Sequence, residues 1–270
     1  MAIGRIQYFS EALNRITEFS FVLPDDLRDW DRAGNPHYGR KAKNLILLHG
    51  LTGIDTDWLW GGGCARELAR EYNLNVFMPT CGNNYYLDRP GRGNEYRRFV
   101  GEEFPEYIRG LFNLSPFRAD NLIGGFSMGG FGTLQTALAY GDSFCGAIAL
   151  SAANPTESRD PEGKDNPIDR YEADFYREIF GDPAEHPERT EKNPVVLAKK
   201  VLAGEAGCGL PRLYLACGTE DTLIWINRRY RDDLSTLTPA LRYDEGPGGH
   251  DWAFWNAYVR RGLDWLLGES

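Results

Sequence analysis

The sequence predicts an α/β fold: a mostly parallel sheet with helices on both faces and a cap insertion before one of the late strands. Three observations predict it. Short continuous apolar runs alternate with helix-spaced segments through nearly the whole chain. Those runs carry few polar residues, as strands covered on both faces do. One of them, Asn121 to Phe126, ends at a serine framed by glycines and leads through that turn into a helical segment, Thr133 to Tyr140. The 270 residues are 42% hydrophobic, which is ample for one large core. We therefore expect a single domain over residues 1–270, with residues 151–191 as its cap.

The elements follow in order. Met1 to Asn14 has no basic region followed by an apolar core, so no signal peptide is read there. Arg15 to Leu23 mixes β-branched and aromatic residues with polar ones and stops at Pro24, which suits a half-exposed strand. Asp25 to Lys43 is a polar connection. Asn44 to Leu48 is a continuous apolar strand ending in His49-Gly50-Leu51-Thr52-Gly53. A helix from about Cys64 to Tyr72 and a strand Asn75 to Pro79 follow. Thr80 to Gly93 is a loop, and Glu95 to Phe112 has helical spacing with a kink expected at Pro105. After the serine turn comes the strand Cys145 to Leu150, then the long polar cap. Pro194 to Leu202 reads as a helix, Arg212 to Cys217 as a strand, and Leu223 to Leu237 as a helix. Ala240 to Asp244 is the last strand, and Trp252 to Leu267 closes the chain as an amphipathic helix.

Charge and cysteine usage bound the partners. The net charge is −9, which argues against a nucleic-acid or anionic-membrane surface. No apolar run approaches the ~18 residues that span a bilayer. The five cysteines are scattered and form no C-x-x-C, so reduced, mostly buried thiols and a cytoplasmic location are expected. A mature secreted form without its leader would read the same way. None of the four histidines is spaced as H-x-x-x-H, so no metal or cofactor is expected. The cap reads as exposed and could contribute to a homo-oligomer.

The chemistry gathers around Gly125-Phe126-Ser127-Met128-Gly129, a G-x-S-x-G pattern between strand and helix. A serine hydroxyl needs a base to take its proton, and the base needs an acid to hold its tautomer. In an elbow of this kind the partners follow in the order acid, then histidine. Only His186 and His250 follow Ser127. His186 lies in the polar cap, whereas His250 ends a glycine-rich loop between the last strand and the last helix. The acid should stand just after the strand ending at Cys217. Asp221 is there, with Glu220 as runner-up and Asp251 too close to His250 in sequence. A plain N-cap before Leu223 is the bland role for Asp221. The oxyanion needs two backbone N–H donors, for which Met128 and Leu51 are best placed. His49 could line the acyl pocket or brace that loop. Of the aromatics near these loops (Trp58, Trp60, Tyr85, Tyr86, Trp225, Trp252, Trp255), Trp58 and Trp225 are the preferred substrate contacts.

Taken together, His49-Gly50-Leu51-Thr52-Gly53, Asp57-Trp58, the Ser127 elbow with Gly130, Cys217 to Asp221 and Gly248-Gly249-His250-Asp251-Trp252 resemble the esterase D family of α/β-hydrolases. The resemblance runs from about Ile16 to Leu267 and is closest to the tributyrin or acetyl esterase branch. It implies an α/β-hydrolase fold and a triad of Ser127, Asp221 and His250, with oxyanion donors Leu51 and Met128. The family also holds S-formylglutathione hydrolases, feruloyl and acetyl-xylan esterases and mycolyltransferases. Phe126 and Gly53 depart from the His and Cys usual in the S-formylglutathione branch. The expected function is therefore a serine carboxylesterase acting on short acyl esters, acetyl to butyryl, of a small molecule or a sugar. A thioesterase or acyltransferase is the alternative, and a non-catalytic binding module is disfavoured by the intact triad order.

Overall fold

A computed structural model describes residues 1–156, 173–182, 185–207 and 209–268. Eight strands form one sheet: β1 (Ala2–Ser10), β2 (Arg15–Leu23), β3 (Lys43–Leu48), β4 (Leu74–Pro79), β5 (Asn121–Phe126), β6 (Gly146–Leu150), β7 (Arg212–Gly218) and β8 (Leu241–Gly246). Their spatial order is β1-β2-β4-β3-β5-β6-β7-β8. The pairs β1–β2 and β2–β4 are antiparallel, and the remaining pairs are parallel. The helices are α1 (Asp29–Arg32), α2 (Ala65–Tyr72), α3 (Tyr96–Arg98), α4 (Phe104–Phe112), α5 (Met128–Ala139), α6 (Ala173–Phe180), α7 (Pro194–Leu202), α8 (Ile224–Ser235) and α9 (Trp252–Leu267). No helix among the described residues is long and apolar enough to cross a membrane.

The period-two alternation of a strand divides the core into two layers. Leu45 and Leu47 of β3 pack with α2 and α9 through Leu68, Val259 and Leu263. Ile46 and Leu48, on the other face, pack with α4, α5, α7 and α8 through Phe104, Leu134, Ala198 and Leu234. Each central strand is buried on both faces, which explains why it reads as an unbroken apolar run.

Two elements differ from the sequence expectation. The first is β1, which was not read as a strand. It pairs along its whole length with β2. Only one of its faces packs, and its exposed and half-buried residues alternate, so it lacks an apolar run. Arg5 ties it inward through hydrogen bonds of 2.9 and 2.7 Å to the buried Asp55, which also accepts from Ser20 and Thr80. The second is the helix over 95–112. Pro105 does not break it; a π-helical turn at Phe99–Glu103 joins α3 to α4. Proline supplies no N–H to an i→i−4 bond, and the wider turn ahead of it accommodates that loss.

The cap expected over 151–191 falls partly outside the described residues. Its described helix α6 buries Ile179 and Phe180 in the core. The ring of Phe180 meets Tyr85 edge-on at 5.2 Å and Phe131 at 6.1 Å. Gln135 of α5 holds the far end by donating to the carbonyls of Glu191 and Lys192.

Candidate active site

Ser127 joins β5 to α5 at φ 57°, ψ −120°, a strained conformation for a residue with a side chain. Its backbone is held from both sides. Its N–H donates to Leu150 O at 2.9 Å, and its carbonyl accepts from Phe131 and Ala153, each at 3.1 Å. The flanking glycines permit the close approach this turn needs. A Cβ on Gly125 would stand 2.5 Å from Gly129 O, and one on Gly129 would stand 2.5 Å from Leu48 O. Met128 is the first residue of α5, so its N–H has no partner within the helix and lies at the positive end of the helix dipole.

The loop after β3 is braced by its own histidine. Cys81 N–H donates to His49 Nε2 at 3.0 Å, so Nδ1 carries the proton and donates to Gly50 O at 2.8 Å. Burial pushes the His49 pKa down, in keeping with this neutral tautomer. Tyr86 donates its hydroxyl to His49 O, and Asn83 accepts from Thr52 N–H at 2.7 Å. His49 therefore has the bracing role among those its position allowed. The same loop carries Leu51 to the cleft.

The acid and histidine loops are tied together. Thr219 N–H donates to Gly246 O, and Glu220 N–H to Gly248 O. This brings His250 Nδ1 to 2.9 Å from Asp221 Oδ2. Asp221 Oδ1 accepts from Leu223 N–H at 2.8 Å, so the carboxylate performs the helix-start role and meets the histidine as well. The rival residues are engaged elsewhere. Asp251 caps α9 through Phe254 N–H. Glu220 is exposed, and His186 is an exposed residue whose Nδ1 meets Glu188 at 3.0 Å.

Burial alone would raise the Asp221 pKa. The hydrogen bond and charge of His250, the Leu223 N–H and the Ser151 hydroxyl outweigh it, and the carboxyl titrates below its usual range. A folded value below the unfolded one stabilises the protein above the unfolded pKa, and that stabilisation is lost as pH falls through the folded value. The difference in unfolding free energy between the wild type and Asp221→Asn should therefore be largest near neutrality and shrink below about pH 4. Urea titrations at several pH values measure it, and a difference that does not change with pH would contradict the coupling.

Ser127 and His250 line one cleft of about 310 Å³ together with Gly50, Leu51, Tyr85, Phe126, Ala153, Thr222, Leu223 and Trp255. The preferred aromatic contacts need correction. Trp58 is not part of this lining and donates its indole N–H to Leu48 O, serving the core rather than the cleft. Trp225 packs half-buried against the core on α8 and is not part of this wall. Tyr85 and Trp255 take their place. The edge-on contact of Trp255 with His250, at 4.9 Å and 87°, places it there. Sequence offered one hint, since Trp255 lies on the first turns of the helix that starts at the histidine loop.

Phe126, next to the serine, stacks on Trp255 at 4.2 Å and meets Trp252 and Trp58 at 4.7 and 5.5 Å. The elbow thus rests on an aromatic bed formed by the loop after β3 and the last helix.

Comparison with known proteins follows the same lines. A model of the family described as "Putative esterase" matches residues 10–266. An acetyl esterase of Caldicellulosiruptor saccharolyticus is 35% identical over 266 residues, covering 98% of both chains. Among solved structures, fluorophosphonate-binding serine hydrolase F of Staphylococcus aureus superposes with a TM-score of 0.81 at 29% identity, covering 99% of each chain. An S-formylglutathione hydrolase of the same species gives 0.80 at 28%, again over 99% of each chain.

Proposed function

This chain belongs to the esterase family, and from that premise we propose that it is a serine carboxylesterase acting on short acyl esters through Ser127, His250 and Asp221. The observation that carries the reading is the cleft shared by Ser127 and His250, with the buried Asp221 bonded to the far nitrogen of the imidazole. Because Nδ1–H donates to Asp221, Nε2 is left as the basic nitrogen. It takes the proton of Ser127 Oγ as the oxygen attacks the acyl carbon. The backbone N–H groups of Leu51 and Met128 stabilise the oxyanion. When the intermediate collapses, the alcohol leaves with the proton from His250. A water molecule, activated by the same base, then releases the acid and restores Ser127.

The apolar wall of the cleft supports a short acyl group. Tyr85 separates it from α6 and is itself fixed among Phe131, Phe175, Tyr176 and Phe180. We expect p-nitrophenyl acetate and butyrate to be better substrates than octanoate. Tyr85→Ala should raise the hexanoate-to-acetate ratio of kcat/KM by about tenfold, the ~1.4 kcal/mol gained when about two of the added methylenes find apolar contact. An unchanged ratio would show that acyl length is set elsewhere.

Acyl transfer or thioester hydrolysis by the same residues is the second reading, favoured by the likeness to the S-formylglutathione hydrolase. Competition between water and an added alcohol separates transfer from hydrolysis: ester product in excess of acid would favour transfer. A cytoplasmic setting is the companion proposal, supported by Cys64, Cys81 and Cys217 as buried free thiols.

A further inference from the structure

The turn that carries Leu51 holds a backbone shape its own sequence disfavours. Gly53 N–H donates to Gly50 O at 3.1 Å and closes a turn over Gly50-Leu51-Thr52-Gly53. Thr52 sits at φ 66°, whereas the φ of Leu51 is not positive. This is a type II turn, whose third residue is normally glycine or asparagine. A β-branched side chain is strained there, and such strain persists where neighbours hold it. The neighbour is Asn83, whose Oδ1 accepts the Thr52 N–H at 2.7 Å. Were Thr52 to relax to negative φ, the peptide between Leu51 and Thr52 would turn over and carry that N–H away from Asn83.

The first peptide of the turn shows what this bond serves. Gly50 O accepts from His49 Nδ1–H at 2.8 Å as well as from Gly53 N–H. The carbonyl and N–H of a trans peptide point in opposite directions. Holding the Gly50 carbonyl on these two donors therefore turns the Leu51 N–H away from them, and Gly50 and Leu51 both line the cleft. Asn83 itself stands on a well-tied loop. Thr80 Oγ1 accepts from Asp55 N–H at 3.1 Å and donates to Asp55 Oδ1 at 2.8 Å. Asn84 Oδ1 accepts from Tyr86 N–H at 2.8 Å. Tyr85 and Tyr86 hold φ 54° and 56°, and Tyr85 lines the cleft. One loop thus grips the Leu51 turn and supplies a wall of the cleft.

We propose that Asn83 is a positioning residue for the esterase reaction, its side-chain carbonyl locking the Gly50–Gly53 turn in the form that directs the Leu51 N–H to the oxyanion. The proposal rests on the reading of Ser127, His250 and Asp221 as the triad and of Leu51 as an oxyanion donor. Asn83 and Thr52 are both exposed, so their bond holds no core together. Its loss should register in the chemistry and not in the stability of the fold.

The test compares purified Asn83→Ala, Asn83→Asp and Ser127→Ala with the wild type on p-nitrophenyl acetate in about 0.15 M salt, which screens an exposed charge. Asn83→Ala should lower kcat by about tenfold, the upper end of what one neutral hydrogen bond is worth. KM should stay within about twofold, because the donor acts on the transition state rather than on the bound ester. Asn83→Asp keeps an accepting oxygen and should stay within about threefold of the wild type. Inhibition by a trifluoromethyl ketone reads the oxyanion donors directly. Ser127 Oγ adds to its carbonyl carbon, the hydroxyl proton passes to His250, and the carbonyl oxygen becomes the anion to be held. Its Ki should rise in Asn83→Ala by the same factor as kcat falls. In a Thr52→Gly background, where a positive φ carries no strain, Asn83→Ala should cost no more than about threefold.

Wild-type kcat and Ki in Asn83→Ala, with Ser127→Ala inactive, would overturn the positioning role and leave the triad standing. Equal losses in Asn83→Ala and Asn83→Asp would also overturn it, as would a tenfold loss that persists in the Thr52→Gly background. Full activity in Ser127→Ala would instead overturn the triad reading itself.

Discussion

Ser127→Ala is expected to lower kcat/KM for p-nitrophenyl acetate by about 10⁴-fold or more, because only the oxyanion donors and substrate binding remain. The variant should fold, since Ser127 is held through its backbone and its hydroxyl supports no core contact. Ser127→Gly sharpens the argument. The serine sits at φ 57°, ψ −120°, where a side chain costs about 1–3 kcal/mol. Glycine escapes most of that cost but loses backbone entropy on folding, so a net stabilisation of about 1 kcal/mol should accompany complete inactivity. A stabilised, dead enzyme would show that the fold stores strain to expose its nucleophile. Equal or lower melting temperature for Ser127→Gly would contradict that.

Gly129→Ala should have a large effect on folding. Its new Cβ would meet Leu48 O at 2.5 Å, His49 O at 2.7 Å and Leu48 C at 2.8 Å. All three are backbone atoms of the strand and loop that position Leu51, so no side chain can swing away. We expect a loss of about 3 kcal/mol or more, a large share of the stability of an ordinary domain. Gly110→Ala is the control. It lies exposed on α4 with nothing within 4 Å of its added Cβ, and should stabilise by about 0.5–1 kcal/mol through helix propensity. Thermal or denaturant unfolding measures both, and similar effects at the two positions would refute the packing account.

Much of this was legible in the sequence for a physical reason. A central parallel strand is buried on both faces, so Leu45 to Leu48 and Leu122 to Phe126 could be read directly. Ser127 and Asp221 each follow such a strand, His250 follows the half-exposed edge strand β8, and their order along the chain restricts the choice. What the sequence could not supply is depth. Trp58 and Trp255 are the same residue type near the same loops. Only packing shows that one fills the core beneath Phe126 while the other reaches the cleft. β1 was illegible for a related reason: an edge strand with one packed face carries too few apolar residues to stand out.

The central claim is that the ester is split through an acyl group carried on Ser127. The most direct test is rapid acid quenching during turnover of p-nitrophenyl acetate, followed by peptide mass spectrometry. The account predicts a burst of p-nitrophenol and an acetyl group on the peptide bearing Ser127, both absent in Ser127→Ala. Turnover with no burst and no acyl adduct, or with the adduct on another residue, would contradict it.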